Sequence, residues 1–436
     1  MKVYTEERKA YELCADTLGE GGESKIYHVQ GDPSVCAKIY KTVKPEQEAK
    51  LRAMVNERFN GVVDGHLLIA WPQHLLYDGN GNFVGYLMPF QKGSPLFMVN
   101  RPEERDRVFR TPYNWSYAVA VAYNIASIVA HTHEMGYVVG DMNNANFMVD
   151  DNGTVTVIDV DSFEFTDKTG HHFRCGVGLP EFVAPELQGR NLSKNNFTIA
   201  TDNFALAVHI FILLTGAHPF AAALQTEGKP SLPFGDQIFN VTYGISPWYR
   251  DDVEGISIPP YALELGALPA KVRTAFRQTF SYNEKTIQQN ISQRVDASIW
   301  KQLLYDLYQR RSTFEHCRIN PAHVYLPRHT VGCPFCRVDQ RMQDIMNGKK
   351  VVVPGPSMHS APKPAVHTAP KPATYTVSQP AAHTVLQPAA PYAASVPMPH
   401  ITPAAPVQAA PAGPAAKTGT QKKSLKEKLL GIFKKS

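Results

Sequence analysis

The sequence predicts an α+β fold in two unequal parts, and three features carry that expectation. Residues 1–90 alternate in short strand-like runs, at 27–29, 35–40 and 83–90, with one helical stretch between them. Residues 91–308 hold longer apolar patterns of helical type, above all 115–133 and 205–214. Beyond about residue 345 the composition shifts to Pro and Ala, which favours neither helix nor sheet. With 436 residues and 43% hydrophobic content, the chain can bury a sizeable core before that point.

Composition narrows the function classes. The net charge of +5 averages two unlike parts: from Val351 onward nine Lys face one Glu, +8, which leaves about −3 for residues 1–350. Basic charge gathers in the tail, so no nucleic-acid footprint is expected on the folded part. The opening residues Met1-Lys2-Val3-Tyr4-Thr5-Glu6-Glu7 hold no apolar h-region, so no secretory signal is expected. The longest apolar run, 205–214, contains His209 and is too short for a bilayer. Cys14, Cys36 and Cys175 are scattered, whereas Cys317, Cys333 and Cys336 cluster near a histidine, which suggests metal rather than disulfides. A cytoplasmic protein is expected.

Chemistry-bearing residues follow one another in a definite order. Leu18-Gly19-Glu20-Gly21-Gly22-Glu23-Ser24-Lys25-Ile26-Tyr27 is a glycine-rich turn whose backbone N–H groups can come close to phosphates. The turn Gly31-Asp32-Pro33 leads into Val35-Cys36-Ala37-Lys38-Ile39-Tyr40, which sets one lysine on a buried strand. A helix is expected over 45–55, with Leu51, Met54 and Val55 as its apolar stripe. The strand over 83–90 exits through Met88-Pro89-Phe90-Gln91; Pro89 has no N–H, so the usable donor is at Gln91. Then come Gly140-Asp141-Met142-Asn143-Asn144-Ala145-Asn146, strands at 147–149 and 155–158, and Ile158-Asp159-Val160-Asp161. Ala184-Pro185-Glu186, Asp202 in a buried helix, and Arg294 complete the series.

In this order the segments resemble the protein-kinase family, and within it a bacterial Ser/Thr-kinase-like branch with Gly-Asp-x-Asn, Asp-x-Asp-Ser and a C-terminal zinc motif. The resemblance implies a two-lobed protein-kinase-like fold, with an N-lobe over 1–90, a C-lobe over 91–308, ATP and Mg²⁺ as cofactors and a protein substrate. It implies that Asp141 is the catalytic base, that Asn146 and Asp159 hold Mg²⁺, and that Lys38 pairs the α/β-phosphates. Gly19, Gly21, Ser24 and Ile26 would cover the nucleotide, Ser24 standing where a third Gly is usual. Met88 would be the gatekeeper, and Gln91 would face adenine. Lys38 needs a Glu from the next helix; Glu48 and Glu57 compete, and Glu48 is preferred because it leaves two helical turns before the next strand. Asp202 would brace the catalytic loop, and Arg294 would pair with Glu186. Members of the branch are found beside von Willebrand factor A-domain proteins and metal-dependent protein phosphatases, often in stress gene neighbourhoods. Such partners and a signalling or stress role are implied.

The pattern is also broken in places. Val139-Gly140 replaces the His-Arg before the catalytic Asp, so phosphorylation of the activation loop is not the expected on-switch. Asn143 stands where most Ser/Thr kinases have a γ-phosphate-binding Lys, and Leu179 where they have the Thr that touches it. Two expectations therefore stand together: an ATP-dependent protein kinase acting on Ser/Thr hydroxyls, and a nucleotide-binding pseudokinase that works as a scaffold. Asp161 replaces the Gly after the metal Asp, and either helps to hold a metal or caps the following turn.

Cys317, His323, Cys333 and Cys336 offer three thiols and an imidazole, a donor set suited to a closed, structural tetrahedral Zn²⁺. His316 and His329 compete with His323, which lies better between the paired ends. A zinc module of residues 313–345 is expected to draw most of its stability, about 10 kcal/mol, from the metal. Octads beginning at Lys363, Lys371, Gln379 and Gln387 make 350–420 a disordered Pro/Ala-rich linker. In 421–436, Leu425, Leu429, Ile432 and Phe433 recur at helical spacing among lysines. This basic amphipathic helix suits either the inner face of a membrane or a partner's groove.

Overall fold

The computed structural model describes residues 1–57, 59, 61–63, 66–100, 114–224, 232–326, 332–349 and 351. The octad linker, the basic segment 421–436 and His329 lie outside the described residues. Six antiparallel strands close into a barrel: β1 (Lys2–Tyr4), β2 (Ala10–Glu20), β3 (Ser24–Val29), β4 (Asp32–Tyr40), β5 (His74–Tyr77) and β6 (Phe83–Pro89). Their order is β1-β2-β3-β4-β6-β5, and Tyr4 opposite Tyr77 completes the ring.

The period of two along β4 decides what each side chain meets. Ala37 joins Val3, Leu13, Val29, Leu76 and Leu87 inside the barrel. Cys36 and Tyr40 point the other way, into the main core of the protein, and Lys38 shares their face. The β4–β6 contact is unusually close at Ile39↔Gly85, where a Cβ on Gly85 would lie 1.9 Å from the Lys38 carbonyl oxygen. A side chain at 85 would displace the strand that carries Lys38.

Helix α1 (Gln47–Glu57) begins two residues later than expected. It buries Leu51 and Met54 as the pattern predicts, and beside them Lys50, which the apolar stripe did not include. α2 (Trp115–Glu134) is capped by Asn114, whose side chain accepts from the Tyr117 N–H, and the chain leaves it through Gly136 at φ +82°. The hairpin β7 (Phe147–Val149) and β8 (Val155–Val157) follows, as expected. α3 (Ile199–Thr215) starts in a reciprocal Thr198–Thr201 capping box and ends at Gly216 in the left-handed region. It is almost wholly buried, and its Phe211 meets Phe276 of α4 (Ala270–Phe280) edge-to-face at 4.9 Å. α5 (Ala297–Gln309) packs along α2, with Tyr123 stacked on Tyr308.

The cysteine-bearing segment follows as β9 (Glu315–His316), β10 (Val324–Tyr325) and α6 (Pro334–Met346). Metal, expected to supply most of this segment's stability, has a second support beside it in the core of the larger body. Phe314, Val324 and Leu326 belong to the main hydrophobic core. Phe335 meets Trp115 of α2 at 5.4 Å, and Arg341 lies 3.6 Å from Glu264. Apolar burial shared with the larger body therefore supports this segment alongside any metal.

Candidate active site

Lys38 is 5% exposed, and β4 directs it out of the barrel toward the loop after β8. There its ammonium meets the carboxylates of Asp159 and, at 2.6 Å, Asp161. Burial would lower its pKa, but the two carboxylates outweigh that and hold it above the ordinary lysine value. Asp159 has φ +63°, a left-handed conformation that a residue with a Cβ adopts at a cost of about 1 kcal/mol or more. Such strain is stored where a side chain must be aimed. Asp161 receives the Tyr40 hydroxyl at 2.5 Å and the Tyr86 hydroxyl at 3.1 Å. Burial favours its neutral form, but Lys38, Tyr40 and Lys50 outweigh burial and keep it ionised below the usual carboxylate range.

Asp141 and Asn146 are held on the facing loop. The Asn146 side-chain amide donates to both the backbone oxygen and Oδ2 of Asp141, each at 3.2 Å, so its own carbonyl oxygen is not used in these bonds. The Ile158 N–H donates to the Asn146 carbonyl at 2.8 Å, which sets the residue before Asp159 against Asn146. Burial, then the neighbouring Asp159 charge, raise the Asp141 pKa to about 6 against the pull of Asn146, Leu179 and Lys38. From below, Asp202 accepts the Val139 and Gly140 N–H groups at 2.7 and 2.9 Å. His209 donates from Nε2 to the Met142 carbonyl at 2.7 Å. Gly140 itself has φ +71°, and a Cβ there would stand 2.7 Å from Cys175 Sγ.

The departures have visible uses. The Asn143 side chain accepts the Ala145 N–H at 3.0 Å and so shapes the loop instead of reaching toward a phosphate. Glu164, 1% exposed, accepts the N–H groups of Cys175 and Phe197 and meets His172 at 2.8 Å. The segment after Asp159 is thereby pinned by a carboxylate of its own.

Of the expected nucleotide contacts, Gly19 and Gly21 lie on the β2–β3 hairpin, with Gly19 opposite Ile26 and the Gly21 N–H donating to the Ser24 carbonyl at 2.9 Å. Met88 is buried opposite Cys36. The Phe90 N–H is spent on the Ser34 carbonyl, which leaves Gln91 as the amide beyond the sheet in this stretch. Glu48 is a correction: it binds Arg52 at 2.7 Å and Tyr77 at 3.0 Å, and does not meet Lys38. The reason is rotation. Glu48 lies two residues, about 200° around the helix, from Lys50, which faces the core. Glu57 reaches toward Lys168, at 3.9 Å.

The donor set suits the groups the resemblance implies. Asp159 and the Asn146 amide oxygen are hard oxygen ligands of the kind Mg²⁺ takes, and Lys38 is a buried cation for phosphate. At the second site the Sγ atoms of Cys317 and Cys336 are 3.5 Å apart, and His323 Nδ1 is 3.6 Å from Cys333 and 3.4 Å from Cys336. Tetrahedral Zn²⁺, with bonds of about 2.3 Å to sulfur and about 2.0 Å to nitrogen, sets its ligands roughly 3.5–3.8 Å apart. All four ligand atoms lie within 4.8 Å of one another. His323 Nε2 lies 3.4 Å from the Asp339 carboxylate, an acceptor of the kind that fixes a metal-binding imidazole. His316 is exposed and is not in the cluster.

Sequence reasoning missed Lys50 and the partnership of Asp161 with Lys38, Tyr40 and Tyr86. The signal for Lys50 was present: it lies four residues before Met54, on the same helical face. Tyr40 and Tyr86 carried none beyond their places two residues along β4 from Lys38 and directly across from it on β6.

A barrel carrying a buried lysine, over a helical body whose loops present Asp141, Asn146 and Asp159, defines a phosphotransferase class of fold. Residues 14–317 match the family described as protein kinase domain, and the chain belongs to that family of enzymes. It is 32% identical over 371 residues to the protein kinase YegI of Escherichia coli K12, covering 81% of this chain and 53% of that protein. It is 26% identical over 220 residues to the DNA damage-responsive serine/threonine-protein kinase RqkA of Deinococcus radiodurans, covering 48% and 30%. The rice calcium-dependent protein kinase 12 is 29% identical over 176 residues, covering 39% and 30%. The chain spans about half the length of the Escherichia coli relatives it matches. Among the described residues no helix is long and apolar enough to cross a membrane.

Proposed function

We propose that this protein transfers the γ-phosphoryl group of ATP to a Ser or Thr hydroxyl of a protein substrate. The observation that carries the reading is the cleft in which Lys38 meets Asp159 while Asn146 holds Asp141. In it Lys38 binds the α/β-phosphates, Asn146 and Asp159 offer their oxygens to Mg²⁺, and Asp141 orients the acceptor hydroxyl and takes its proton. The acceptor oxygen bonds to the γ-phosphorus as the bridge to ADP breaks. Magnesium, when bound, supplies the positive charge that offsets the charge developing on the phosphates. Met88 and Gln91 line the adenine end, and Gly19, Gly21, Ser24 and Ile26 roof the phosphates. Cys317, His323, Cys333 and Cys336 hold a structural Zn²⁺.

The pinning of Cys175 and Phe197 by Glu164 supports a kinase that needs no loop phosphorylation to order this segment. The resemblance supports a bacterial signalling or stress role with von Willebrand A-domain and phosphatase partners. The lysine-rich segment 421–436 supports contact with a membrane face or a partner's groove. One observation favours the scaffold reading instead: Asn143 is committed to its own loop, so position 143 sets no cation against the γ-phosphate charge.

Transfer of labelled γ-phosphate by the purified protein, alone and with candidate partners, decides between the two. Lys38→Ala, Asp141→Ala and Asp159→Ala should each abolish transfer, with ATP binding kept only in the Asp141 variant. Asp141→Ala as active as wild type would remove the base assignment. ATP binding without transfer by wild type under all conditions would leave the scaffold.

A further inference from the structure

Helix α1 offers no acid to Lys38. Glu48 is engaged with Arg52 and Tyr77, and Glu57 points toward Lys168. The α1 face turned into the core instead carries a second cation, Lys50, 8% exposed, whose ammonium donates to the Arg174 carbonyl at 2.9 Å. Two buried lysines in one cleft need counter-charge from elsewhere.

Asp161 is built to supply it. Its side chain is 14% exposed, and both of its oxygens are used: Oδ1 takes Lys38 at 2.6 Å and Tyr86 at 3.1 Å, and Oδ2 takes Tyr40 at 2.5 Å. The three donors share one face of the barrel wall, since Lys38 and Tyr40 are two residues apart on β4 and Tyr86 is the cross-strand neighbour of Lys38. The carboxylate is therefore fixed by hydroxyls that do not move with α1. Its two uses toward tyrosine also leave it poorly placed to turn toward a metal.

We propose that Asp161 is the positioning residue of Lys38, standing in for the helix carboxylate, so that the loop bearing Asp159 aligns the phosphate-binding lysine without an acid from α1. The proposal rests on the reading that Lys38 binds ATP phosphates. It follows that a displacement of α1 leaves the Lys38–Asp161 pair in place, since both partners lie outside that helix.

The test compares Asp161→Asn, Asp161→Glu, Glu48→Gln and Glu57→Gln in the full chain. Steady-state transfer, Mg²⁺ titration and equilibrium binding of a fluorescent ATP analogue are measured, with thermal melting as the check on folding. Asp161→Asn should raise KM for ATP and weaken analogue binding at least tenfold, at saturating as well as low Mg²⁺, with a smaller loss in kcat. Asp161→Glu should recover part of the binding, and the two Glu→Gln variants should stay within twofold of wild type. The proposal is overturned if either Glu→Gln variant loses as much as Asp161→Asn, or if Asp161→Asn binds like wild type. It is also overturned if excess Mg²⁺ restores Asp161→Asn, which would make Asp161 a metal ligand. Should wild type bind the analogue but transfer nothing, the kinase reading fails alone, and the binding series still judges Asp161.

Discussion

Two buried ionic networks in this protein are built to opposite plans. In the helical body Arg294 donates from Nε to Asn290, from Nη1 to Glu186 and the Ala200 carbonyl, and from Nη2 to Glu186, at 2.7–3.2 Å. Every guanidinium nitrogen has a partner, and one charge meets one charge. In the cleft, Lys38 faces both Asp159 and Asp161, with Asp141 near enough to feel Asp159 and Lys38, and Lys50 bound to a backbone oxygen. Carboxylates there outnumber what the lysines neutralise. The first network is finished and stabilises the fold, whereas the second is left acid-rich, which suits a divalent cation and exchange of partners.

The sharpest way to break the contrast is to remove one partner from each. Lys38→Met should reduce phosphoryl transfer at least a hundredfold while unfolding stays cooperative, since the proposed function assigns the cleft network to chemistry; loss of the fold instead would erase the distinction. Glu186→Ala should leave the Arg294 guanidinium buried without its counter-charge and cost about 3–5 kcal/mol in urea unfolding. Cys333→Ser with Cys336→Ser should lower the zinc found by elemental analysis from one per chain to none. Although Phe314, Val324 and Leu326 are anchored in the main core, that variant should make residues 310–345 more open to protease and leave the barrel protected. Gly85→Ala should cost about 1–3 kcal/mol through its clash with the Lys38 carbonyl, and should weaken ATP binding more than an equally destabilising change in the helical body. Thr198→Ala, which removes half of the α3 capping box, should cost about 1 kcal/mol and leave ATP binding unchanged.

The finished network was legible in the sequence and the open one only in part. Through the resemblance to the kinase family, Arg294 could be paired with Glu186 and Asp202 could be expected to brace the catalytic loop, because these residues have one task each. Asp141, Asn146 and Asp159 could be singled out for the same reason. What failed was the lysine's partner. Choosing Glu48 used the length of chain left for α1, but the face that a helical residue presents turns by about 100° per position, and chain length says nothing about it. Asp161 was visible as an added carboxylate, yet its role depends on hydroxyls from Tyr40 and Tyr86 that only the closed barrel brings together. The shared core of the cysteine-bearing segment was illegible for a like reason: its apolar residues meet α2, some 200 positions earlier in the chain.

The packing of Gly140 against Cys175 bears on how this chain could change over generations. Its φ of +71° and the sulfur 2.7 Å from an added Cβ bar any larger residue just before Asp141. An arginine there, of the sort that reads a phosphorylated loop, would require a backbone flip and a smaller residue at 175 at once. Either substitution alone passes through a damaged protein, the arginine by collision and the shortened thiol by a void. Lineages that hold this glycine and cysteine are thus confined to one side of a mutational barrier, and new forms of control are more readily gained by adding partners than by rewiring the loop.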